Sequence, residues 1–136
     1  MKEWLIPTLG AVICWAGWAF LPKIAMQYLE PKSVLIYEVL GGLTIGLFIL
    51  ASLNYQLEIE LKGISLAFAS GALNILGVLF YLQAIAKGKV ALVSTISALY
   101  PLLVIILALF LLQESLSLKQ FFGLSLGLFS IILLVT

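Results

Sequence analysis

Ser70, Asn74, Gly77 and Tyr81 follow one another at steps of four, three and four, a spacing that puts them on one continuous face of a helix. Further along, Ser94, Ser97 and Pro101 share a face bordered by Thr95 and Tyr100, and near the N-terminus Ala11, Trp15, Trp18 and Pro22 align in the same way. Polar residues are so few in these stretches that their alignment carries information. Together they offer the chemistry of a binding cavity rather than of a catalyst. Trp15, Trp18, Tyr81 and Tyr100 supply aromatic walls, and Asn74, Ser94 and Ser97 supply amide and hydroxyl groups that orient a small molecule. The competing reading is ordinary hydrogen bonding between helices, worth on average about 0.6 kcal/mol per contact in membranes. Asn74 by itself fits that reading, whereas three aligned faces predict a substrate-binding cavity.

Two further residues would give such a cavity a working part. Pro101 lies in the middle of its segment, where it removes one backbone hydrogen bond and pushes back the carbonyl of Ser97. A kink is expected there, either as a hinge near the midplane or as one of the prolines that membrane helices tolerate. Glu38 is the one acidic residue placed inside a helix at membrane depth. A carboxylate at the bilayer centre costs roughly 2.5–3.5 kcal/mol on insertion scales, and one found there usually serves a proton or a substrate. Counted from a helix start near Ser33, Glu38 is only about 8 Å deep. At that depth simple contact with the interface competes with a proton-coupling role.

The elements that must position these residues follow from composition. Hydrophobic residues make up 64% of the 136 and charged residues only 10%, where soluble domains approach about a quarter charged. Uncharged runs at Trp4–Pro22, Val39–Leu57, Gly63–Ala86, Val90–Gln113 and Gln120–Thr136 each come near the roughly 17–25 residues of a spanning helix. The expected fold is all-α, a polytopic membrane protein of five transmembrane helices in a single membrane domain over residues 1–136. No stretch is long or polar enough for a soluble domain, so activity belongs in the bilayer or at its edges. The first segment follows Lys2 as a signal peptide would, but Pro7, Trp15 and Trp18 interrupt its core and no small-residue cleavage site follows. It reads as a retained helix.

The residue inventory removes whole classes of chemistry. The chain has no His, Asp or Arg, and its only cysteine is Cys14. A Ser-His-Asp triad, a zinc site, a disulfide framework and an arginine phosphate clamp are therefore out of reach. No enzymatic activity, metal or cofactor is expected. The net charge of +1 gives no footprint for nucleic acid, leaving a small-molecule substrate and the lipid bilayer as partners.

Helix 1 is expected from Leu5 to Leu21, ending near Pro22, and helix 2 from a Ser33 cap to Asn54. Helix 3 takes Ile64 to Ala86, and helix 4 takes Ala91 to Gln113. The Lys87-Gly88-Lys89 turn between them is short enough to predict an antiparallel hairpin. Ser117 and Gln120 have capping-box spacing and start helix 5, which runs to the C-terminus. Glu114 is read as capping that start or pairing with Lys119. Small residues four apart mark where helix backbones touch in lipid. They are Gly42 and Gly46, Ala67 and Gly71, and Gly123 and Gly127, the last pair extended by Ser130. These faces are read either as packing within one chain or as a seam between chains.

An odd number of spans puts the two ends on opposite membrane faces. Lys2, Lys62 and Lys119 then lie on the N-terminal side, and Lys23, Lys32, Lys87 and Lys89 on the other. The free α-amino group evens the tally, so the rule that cytoplasmic loops gather lysine sets no orientation, and insertion in both senses is expected.

The run Ala-Leu-Val-Ser-Thr-Ile-Ser-Ala-Leu-Tyr-Pro-Leu at residues 91–102, followed by Leu-Leu-Gln-Glu-Ser-Leu at 111–116, resembles the drug/metabolite transporter superfamily and, within it, the EamA-type domain. That pattern is a helix with a central proline, a glutamate at its end, a short turn and a last helix with spaced glycines. Here these are Pro101, Glu114, Gly123 and Gly127, and Trp15-Ala16-Gly17-Trp18 with Lys23 resembles the first helix. The resemblance implies a multi-pass transporter of small metabolites or amphipathic solutes in a cell membrane, of the prokaryotic plasma-membrane kind, working in export by alternating access. Typical members carry two inverted five-helix halves, so it implies that this chain is one half of an inverted-repeat transporter. The missing half would come from an antiparallel dual-topology homodimer or from a second five-helix chain. The four-helix small multidrug resistance proteins, distant relatives, carry their carboxylate in the first helix. Glu38 replaces it only from a different helix, which leaves a proton-coupled multidrug exporter as one alternative and a non-transporting membrane subunit as another.

Overall fold

The computed structural model describes residues 3–113 and 115–135. Lys2, Glu114 and Thr136 lie outside them, and with Glu114 goes the role expected of it between the last two segments. Among the described residues the secondary structure is helical throughout: α1 (Leu5–Ala25), α2 (Pro31–Ser52), α3 (Leu61–Lys87), α4 (Val90–Ser97), α5 (Tyr100–Leu111) and α6 (Leu118–Val135). Four stretches are long and apolar enough to cross a membrane, namely α1, α2, α3 and the combined span Val90–Leu111, and α6 adds an 18-residue apolar helix. The protein is a polytopic helical membrane protein, its helices apolar all round as lipid-embedded helices are.

Helix boundaries follow local chemistry, and several differ from the sequence expectation. α2 starts at Pro31, after an extended Glu30. The fixed φ of proline suits the first helical position, and its missing N–H is not needed there. Ser33 is therefore inside the helix and does not cap it. α1 does not stop at Pro22 but runs one turn further, to Ala25. Proline removes only one bond, which a final turn tolerates. α2 ends in a Schellman motif, with the Tyr55 N–H on the Leu50 carbonyl at 3.1 Å and the Asn54 N–H on the Ala51 carbonyl at 3.0 Å. Asn54 and Tyr55 take φ of 52° and 60° there, a conformation asparagine accepts more readily than most residues. α3 begins earlier than expected, its start tied by the Lys62 N–H on the Glu60 carboxylate at 3.3 Å. The Ser117/Gln120 box forms as expected. The Ser117 N–H donates to the Gln120 side-chain oxygen at 2.9 Å, and the Gln120 N–H donates to the Ser117 hydroxyl at 3.3 Å.

The largest departure is the fourth span, expected as one helix and found as two. α4 closes with the Ala98 N–H on the Ser94 carbonyl, and Leu99 and Leu102 then bond back only three residues, to Ile96 and Leu99. Pro101 stands at the start of α5. Lacking an N–H, it cannot reach the Ser97 carbonyl, and the chain breaks one turn before the proline, where its ring would otherwise collide.

By contacts the chain forms two compact units, Met1–Lys87 and Gly88–Thr136. In the first, α3 packs against both α2 and α1. Its core gathers at one end: Val78, Tyr81, Leu82 and Ile85 of α3, Val34 and Leu35 of α2, and Pro22 of α1. The α3 residues recur at i, i+3, i+4 and i+7, one helical stripe. Trp4 and Tyr55 are exposed at the opposite end and Tyr28 at this one, the places where aromatic rings anchor helices at the membrane surface. In the second unit α4 packs on α6. A Cβ built on Gly42, Gly46, Gly71, Gly123 or Gly127 would meet no atom within 4 Å. Around these five glycines each unit by itself leaves open space for a Cβ.

Candidate functional site

In the first unit, α1, the turn 26–30 and the start of α2 bound a cleft of about 310 Å³. From α1 it takes Trp18, Leu21, Pro22 and Ala25, at the i, i+3, i+4, i+7 spacing of one face. From α2 it takes Val34, Tyr37 and Glu38, and Leu29 closes it at the turn. Because α2 starts at Pro31 rather than near Ser33, Glu38 is seven residues into its helix, roughly 10 Å along the axis. That is deeper than the sequence count suggested.

One aromatic side chain organises the cleft. The Trp18 ring stacks on Tyr81, centroids 5.2 Å apart and planes 28° from parallel. It lines the cleft together with the Glu38 carboxylate. Tyr81 is itself fixed, buried on α3 with its hydroxyl donating to the Ala19 carbonyl at 2.8 Å. One turn on, the Lys23 ammonium donates to the Ile85 carbonyl at the end of α3. That carbonyl is among the last four of the helix, which lack helical partners and carry the negative end of the dipole. Both ties join residues 62 apart, so α1 and α3 run parallel here, clamped side by side. The second carboxylate oxygen, Glu38 Oε2, is buried and has no hydrogen-bond partner among the described residues. A carboxyl oxygen left unpaired in an apolar cleft is costly until a hydrogen-bond donor or a cation meets it.

Of the residues singled out from sequence, the structure brings Trp18, Tyr81 and Glu38 together. Trp15 and Asn74 are exposed on their helices and do not line the cleft. Ser94, Ser97, Tyr100 and Pro101 belong to the second unit, where Ser94 is half-buried and Tyr100 exposed. A groove of about 400 Å³ in that unit is walled by Ile105, Leu116, Gly123 and Leu124, with Gln120 already engaged by Ser117. Tyr37 was missed in the sequence. Its signal was adjacency to Glu38 and the 34, 37, 38 spacing, visible only once the helix start is known.

No solved structure matches the chain. An uncharacterised protein of Methanocaldococcus jannaschii is 31% identical over 130 residues, covering 96% of this chain and 93% of that protein. The family model of the EamA-like transporters matches residues 2–136, a range that takes in both the Trp18–Glu38 cleft and the broken fourth span. The chain therefore belongs to the EamA-like transporter family.

Proposed function

We propose that this membrane transporter exports small metabolites or amphipathic solutes by alternating access, as an antiparallel dual-topology homodimer of five-helix units. The observation that carries the reading is family membership along residues 2–136, a length that holds one five-helix set. The similar archaeal protein is matched over 93% of its own length, so the two are of comparable size. The balanced lysines favour both orientations, and two oppositely inserted copies would supply the inverted halves of such a carrier. The open faces at Gly123 and Gly127 suit the seam between copies, and the break at Pro101 suits a hinge. A cell membrane, of the prokaryotic plasma-membrane kind, is the proposed location.

The test is solute flux in liposomes containing only this protein, with the two insertion senses scored by fusions after Thr136 that signal only inside or only outside. Flux together with signal from both fusions is the expected result. Flux that appears only when a second five-helix chain is added would replace the homodimer with a heterodimer. A folded protein with no flux under either condition would favour a non-transporting subunit. A second reading, proton-coupled multidrug export through Glu38, is favoured by the unpartnered Oε2 in the cleft. In that case Glu38→Gln abolishes flux driven by a pH gradient, since the amide carries no proton.

A further inference from the structure

We propose that the cleft between α1 and α2 is a binding site for an organic ammonium ion, its charge on Glu38 Oε2 and its apolar body against the rings of Trp18 and Tyr37. The inference deepens the proposed function and rests on it for the ion's role as substrate. Charge decides the sign of the ligand. Glu38 keeps Oε2 buried and without a hydrogen-bond partner among the described residues, in a cleft it shares with the Trp18 ring. The lysine of the same helix end, Lys23, donates to the Ile85 carbonyl. An anionic ligand would meet the carboxylate as a like charge, whereas a cation completes it.

The walls decide what kind of cation. Calcium and magnesium take six or more oxygen ligands. The cleft offers one carboxylate, and among the described residues no three His, Cys, Asp or Glu side chains gather. The faces of Trp and Tyr attract cations that shed water easily, which is how quaternary ammonium groups are recognised in aromatic-lined sites. Trp18 is held for this task by its stack on Tyr81, so little ordering remains to be done on binding. A volume of about 310 Å³ is at the lower end of small-molecule pockets, room for an ammonium group with one ring or a short alkyl body.

The test is equilibrium binding of benzyltrimethylammonium to the full-length protein in lipid nanodiscs. Neopentylbenzene, the same shape with carbon in place of the charged nitrogen, serves as the neutral control. Saturable binding of the cation is expected, weakened at least tenfold in Glu38→Gln, with the neutral compound bound equally by both proteins. Equal binding of the two compounds by the wild type, or cation binding undiminished in a folded Glu38→Gln, overturns the site. Should that variant not fold, Tyr37→Leu at an exposed wall position takes its place. A three- to tenfold loss confined to the cation supports the site, and unchanged cation binding overturns it. Liposome flux separates this inference from the transporter reading. Flux of an uncharged solute without cation binding removes only the substrate class. Cation binding without flux of any solute removes only the transport.

Discussion

Tyr81 carries two tasks with one side chain: its ring supports Trp18, and its hydroxyl ties α3 to the Ala19 carbonyl of α1. Tyr81→Phe keeps the ring and deletes the tie, so a loss of about 0.6 kcal/mol, the average for hydrogen bonds between membrane helices, is expected by equilibrium unfolding in detergent. Tyr81→Ala also removes the stack, worth about 0.5–1.5 kcal/mol more, and leaves a hole in the buried cluster. Losses of equal size in the two variants would show that the ring contributes nothing. The pairing of Trp18 with Tyr81 and Glu38 was half legible. The sequence proposed Trp18 and Tyr81 for a binding cavity because their helix faces align, and for Glu38 it weighed contact with the interface against proton coupling. It could not pair them, because the depth of Glu38 depends on where α2 begins, and Pro31 rather than Ser33 sets that start. Trp15 and Asn74 share helix faces with residues of the site but lie further from the clamped end, which face periodicity alone does not distinguish.

At the scale of the elements, the most informative departure is the division of the fourth span into α4 and α5. A proline inside a periodic apolar run announces a kink, but how far the helix unravels depends on whether the freed carbonyls find other partners. Here Leu99 and Leu102 adopt three-residue bonds, and the break widens to a full interruption. Pro101→Ala restores the donor for the Ser97 carbonyl. Spin labels at Val90 and Leu111 are then expected to separate toward the roughly 31 Å of a straight helix of that length. Transport is expected to fall if the break serves as a hinge. An unchanged distance would mean that the break does not depend on the proline. The start of α6 was legible in full, since Ser117 and Gln120 satisfy each other locally with no help from tertiary structure. Ser117→Ala is expected to lower stability by about 1 kcal/mol, measured by thermal unfolding.

At the scale of the whole molecule, the odd number of apolar runs and the even distribution of lysines are what support the proposed antiparallel assembly. Adding two lysines to the Glu58–Lys62 stretch is expected to fix the orientation and reduce flux, with recovery when a copy biased the other way is co-expressed. Persistent full flux from a singly oriented population would remove the antiparallel dimer. A Cβ at Gly123 or Gly127 has open space within its unit, so Gly123→Leu and Gly127→Leu are expected to leave the monomer folded while dimer yield drops, read by crosslinking. Composition made the membrane class plain, whereas the openness of these faces needed coordinates, because glycine spacing looks the same in a helix packed internally and in one awaiting a partner. The clustered ties at one end of the first unit also give it leverage. α3 has 27 residues, about 40 Å at 1.5 Å per residue, and its buried side chains all fall between Val78 and Ile85. From the middle of that grip to Leu61 is roughly 31 Å, so a tilt of roughly 10° would swing the far end by about 5 Å. Substitutions near Lys23, Tyr81 and Ile85 therefore act on the fulcrum, and substitutions near Leu61 act on the length of the stroke.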